Sequence, residues 1–139
     1  MLLTEGQCAL LRSTLAAAVR IATDALWAGR PEHLPDDGMG WPPHYRSGNY
    51  GYFESKVEEI KRAEAMLDLL REERDVAWRG ITWVPVAGNG GTLSWRPEAA
   101  ELMARVVTRT LAHVRSAGIN DALTKAGTAL GESILQQVG

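Results

Sequence analysis

The segment "RPEHLPDDGMGWPPHYRSGNYGY", residues 30 to 52, constrains the fold more than any other stretch of this chain, because four prolines and four glycines lie within it. Proline lacks the amide donor that a helix interior or a central strand needs, and its fixed φ clashes with the preceding helical turn. No helix or central strand can pass through, so the chain is divided into one helix before the segment and everything else after it. A connection of more than about 15 residues is unusual inside a compact domain and is commonly a functional loop. Its second half, "GMGWPPHYRSGNYGYF", carries five of the nine aromatic residues of the protein. That is too much apolar surface to stand in water without a partner, whereas "RPEHLPDDG" is composed for solvent.

Hydrophobic periodicity gives the elements on either side. Thr4 and Gln7 have the spacing of a capping box, and Leu11, Leu15, Ala18, Ala22 and Leu26 recur at three- and four-residue intervals. A first helix is expected over 5–28, ended by Gly29 and Pro31. A second is expected over 54–79, with Phe53, Val57, Ile60, Leu67, Leu70 and Arg74 as its stripe. At about 1.5 Å per residue it would span roughly 35 to 40 Å, longer than a small domain needs. "ITWVPV" and "TLSW", joined by "AGNGG", read as a β-hairpin over 81–95, with Pro85 restricting the first strand to an edge or a bulge. Pro97 opens a third helix over 97–117, and Asn120 caps a fourth over 121–137. Gly127 and Gly131, one turn apart in that fourth helix, weaken it but allow another backbone to come close. The expected fold is mainly α within an α+β class: four helices, a hairpin between the second and third, and the aromatic-rich loop between the first and second. It should form a single domain over 1–139. The long second helix, the unaccompanied hairpin and the glycine-bearing fourth helix together suggest a homo-oligomer.

Charge and composition exclude several functions. A net charge of -2 is a poor match to a protein whose affinity comes from neutralising phosphates, so nucleic acid is disfavoured as a partner. No window is apolar enough for a membrane span, and the single Cys8 suits a buried site in a reducing, cytoplasmic setting. There is no dinucleotide-binding glycine fingerprint, no phosphate loop with its lysine, and no cysteine pair for zinc. His33, Asp36, Asp37 and His44 have ligand chemistry but no preorganising spacing, and Glu58, Glu59 and Glu64 are interleaved with Lys56, Lys61 and Arg62. Neither set is read as a metal centre, and no cofactor is expected. Arg105, Arg109 and His113 recur every fourth residue and form a basic line that is either a solvated face or a contact for an acidic partner.

The aromatic residues remain. Trp41, His44, Tyr45, Arg46, Asn49, Tyr50 and Tyr52 in the loop, with Trp83, Trp95 and Arg96 at the hairpin, are the candidate binding residues. Tryptophan, tyrosine and arginine are the residue types that dominate binding hot spots, which points to a non-enzymatic protein-binding module: an inhibitor, adaptor or assembly component. The alternative is a small-molecule or nucleotide site in which rings stack on a planar group while Arg46 and Arg96 meet its oxygens. A third use of the same residues is as a satellite core covering the helix ends.

Overall fold

The computed structural model describes residues 1–28 and 50–139, with side chains described from Ser55 onward in the second part. Among these residues are four α-helices, α1 Glu5–Ala28, α2 Tyr50–Arg71, α3 Ala100–Ser116 and α4 Ala122–Val138, and four strands, β1 Leu2–Leu3, β2 Val76–Trp78, β3 Ile81–Pro85 and β4 Gly91–Trp95. The strands form one antiparallel sheet in the order β1-β4-β3-β2. No described helix is long and apolar enough to cross a membrane. The mainly helical class is found as expected, and the sheet is twice as wide as the sequence suggested.

The difference lies in "VAWRGITW". The sequence expectation carried the second helix to 79, but α2 stops at Arg71 and residues 76–78 form β2, pairing Val76 with Trp83 and Trp78 with Ile81. Arg79 and Gly80, with φ of 51° and 85°, make the two-residue turn whose left-handed residues match the twist of a hairpin. Gly80 is therefore a turn residue and not a helix stop. Across this turn Val76, Trp78, Ile81 and Trp83 share one face of the sheet, which continues through Leu93 and Trp95 on β4 and Leu3 on β1. Leaving the helix lets Val76 and Trp78 pack on the core, whereas a continued helix would carry them away from it. At the other edge Met1 and β1 extend the sheet, with Leu93 N donating to Met1 O at 2.9 Å. The expected lone hairpin thus has a neighbour on each side.

The inner face of this sheet meets the helices in one core, where Ile81, Trp83 and Leu93 lie against Cys8, Leu11 and Leu15 of α1, Met66, Leu67 and Leu70 of α2, Met103 and Val107 of α3, and Ile134 of α4. The capping box forms: Gln7 N donates to Thr4 Oγ1 at 3.1 Å and Thr4 N to Gln7 Oε1 at 3.0 Å. Arg12 Nη1 lies 3.0 Å from Cys8 Sγ and donates to Leu70 O at 3.1 Å, satisfying a carbonyl in the last turn of α2. The cap of α4 is Asp121, one residue beyond the expected Asn120, and its carboxylate accepts from Thr124 N at 2.6 Å. Gly127 and Gly131 do allow a close approach, but by side chains and not by the backbone expected: a Cβ at Gly127 would run into Thr14 Oγ1, and one at Gly131 would stand 2.7 Å from Leu111 Cδ2.

Two glycines of the β3–β4 turn separate conformational need from steric need. Gly88 and Gly90 have nearly the same φ, 75° and 73°, but Gly88 faces open space while a Cβ on Gly90 would stand 2.6 Å from Thr4 C and collide with Leu3 O. Gly88→Ala should cost about 1 kcal/mol, from its left-handed backbone alone. Gly90→Ala adds overpacking against β1 and should cost about 2 to 4 kcal/mol in urea denaturation.

Candidate functional site

The midsections of α1, α2 and α3 do not close completely. Ala18 and Ala22 of α1 present only methyl groups, and opposite them Ile60, Arg62 and Ala63 of α2 and Arg105, Val106, Arg109 and Thr110 of α3 line a crevice enclosing about 20 Å³. By volume this is room for about one or two water-sized groups. Glu59 and His113 complete its wall.

The basic line of α3 meets its acidic partner here, within the same chain. Glu59 Oε1 accepts from Arg109 Nε at 2.7 Å and lies 2.9 Å from His113 Nε2, and Lys56 Nζ approaches the other oxygen at 3.7 Å. The Glu59 side chain is 18% exposed. Burial alone pushes its carboxyl up, but the hydrogen bonds from Arg109 and His113, with the charges of Arg109 and Lys56, more than offset this and hold it below the usual carboxylate range. Arg105 pairs instead with Glu101 on its own helix at 2.9 Å.

Two residues that line the crevice each carry a buried polar atom with no hydrogen-bond partner among the described residues: Arg62 Nε and Thr110 Oγ1. Thr110 is 4% exposed. Arg62 Nε lies 3.8 Å from Glu58 Oε1, too far for a hydrogen bond. Thr14, the other buried threonine among the described residues, returns its hydroxyl to Leu10 O at 2.8 Å, the usual solution for a threonine within a helix. Thr110 does not make the equivalent bond.

The residues singled out in the sequence fall elsewhere. Trp83 is buried in the core and its indole Nε1 donates to Glu72 O at 3.1 Å. Trp95 is half-buried against that core on the neighbouring strand, and Arg96 is exposed where the chain leaves β4, its backbone NH bonded to Gly80 O. These three residues do not line the crevice. Trp41, His44, Tyr45, Arg46 and Asn49, together with His33, Asp36 and Asp37, lie outside the described residues, and Tyr50 and Tyr52 are described only as backbone of the first turn of α2. Glu59, Arg62 and Thr110 were not singled out as a site. The available signal was the spacing of Arg105, Arg109 and His113, which calls for a carboxylate on a neighbouring helix.

No family model matches the chain, no curated protein is significantly similar to it, and no solved structure matches it. Function is argued from the site itself.

Because the carboxyl of Glu59 is held below its ordinary value of 4.5, its contribution to stability is complete above that value and is lost as pH falls through the lower folded value. Glu59→Gln should therefore lower stability at pH 7 by about 1 to 3 kcal/mol, by weakening charge-assisted bonds to two partly buried partners. Thermal melts should show the gap between variant and wild type narrowing as pH falls below 4.5 and closing once it passes the lower folded value, where the wild-type carboxyl also becomes neutral.

Proposed function

We propose that this protein is a non-enzymatic binding module, an inhibitor, adaptor or assembly component that engages a protein partner from the end of the molecule where α1 and α2 are joined. The observation that supports it best is the condition of Glu59. A catalytic base needs a carboxylate free to take a proton at working pH, whereas this one is occupied by Arg109 and His113 and held in its charged form. Its role is that of a counter-charge tying α2 to α3.

The contact residues in this reading are Trp41, Tyr45 and Arg46, on sequence chemistry, since they lie outside the described residues. What the fold contributes is their attachment. Ala22 and Leu26 near the end of α1 pack against Val57 and Ile60 near the start of α2, a small cluster separate from the main core, so both helices leading to residues 29–49 are held firmly. The features that suggested an oligomer are satisfied inside one chain: α2 is shorter, the hairpin lies within a four-stranded sheet, and Gly127 and Gly131 receive Thr14 and Leu111. The proposal accordingly concerns the single chain. A reducing cytoplasmic setting suits Cys8, which is 1% exposed and whose thiol is pushed up by burial.

A second reading, a small-molecule-binding protein, draws on the two unpartnered polar atoms of the three-helix crevice. Affinity capture from the host separates the two. Trp41→Ala with Tyr45→Ala should abolish retention of the protein partner and change stability by less than about 0.5 kcal/mol, as surface substitutions do. A large loss of stability would show that these rings pack against the fold. Native mass spectrometry of protein from its own host reports a retained small ligand and so addresses the second reading.

A further inference from the structure

We draw no further inference here: the strongest candidate, the outer face of the sheet, where exposed Leu2 and Val84 flank Thr92 in one uncharged row, is unpartnered among the described residues, and nothing in the structure shows what covers it.

Discussion

The packing of Trp83 is the constraint on which the rest of the structure depends. It stands at the middle of β3, an inner strand of the sheet, and is 2% exposed, so its whole ring must be enclosed by other elements. Its indole NH needs an acceptor once buried and finds Glu72 O, the carbonyl just past the last turn of α2. That bond holds the end of α2 against the sheet, at the place where the chain turns to form β2. On the opposite side the ring leaves no room for a side chain: a Cβ on Gly91 would stand 2.7 Å from Trp83 Cη2. One tryptophan therefore ties the end of α2 to the sheet, and with the backbone of Val84 and Pro85, whose O and Cα would stand 2.6 and 2.9 Å from that Cβ, it leaves room only for glycine at the first residue of β4. Trp78 and Trp95 extend the same face at half burial, and Arg79 lies over the Trp78 ring at 5.5 Å.

The helical layer follows a different rule, in which small residues decide how near two helices come. Gly127 and Gly131 bring α4 onto Thr14 of α1 and Leu111 of α3 so closely that no side chain fits between. Ala18 and Ala22 are similarly small on the α1 surface facing α2 and α3, but there the opposing side chains are long and charged, and contact remains incomplete. The crevice is the result of setting methyl groups opposite guanidiniums that need counter-charges. Glu59 supplies one by reaching across from α2 to Arg109 and His113 on α3.

Most of the helical architecture was legible in the sequence because it rests on local signals. The Thr4–Gln7 box, the three- and four-residue spacing of α1 and Pro97 at the start of the third helical segment each show in residues a few positions apart. What was misread depends on distant partners. "REERDVAW" extends a charged helical pattern until Val76 and Trp78 are set beside Ile81 and Trp83, where alternation across Arg79–Gly80 becomes a hairpin. Leu2 and Leu3 cannot be recognised as a strand without β4 to pair with. The crevice was harder still. The cationic spacing on α3 was visible, but only the packing of three helices shows that Glu59, among several interleaved glutamates, is the one that meets it.

Thr110 shows where polarity exceeds what folding requires. Valine has the same shape, would fill the same volume, and would avoid the desolvation of a hydroxyl, a penalty of about 1 to 3 kcal/mol when no bond compensates it. At the equivalent depth Thr14 resolves the problem through Leu10 O, so the helix itself offers a remedy that Thr110 does not take. The same reasoning applies to Arg62, whose stem packs usefully beside Ala63 but whose Nε is buried with Glu58 out of hydrogen-bonding range. Glu58, Glu101 and Glu59 supply counter-charges to Arg62, Arg105 and Arg109 in turn, so the charges of the crevice are met within the fold while the hydroxyl of Thr110 is not.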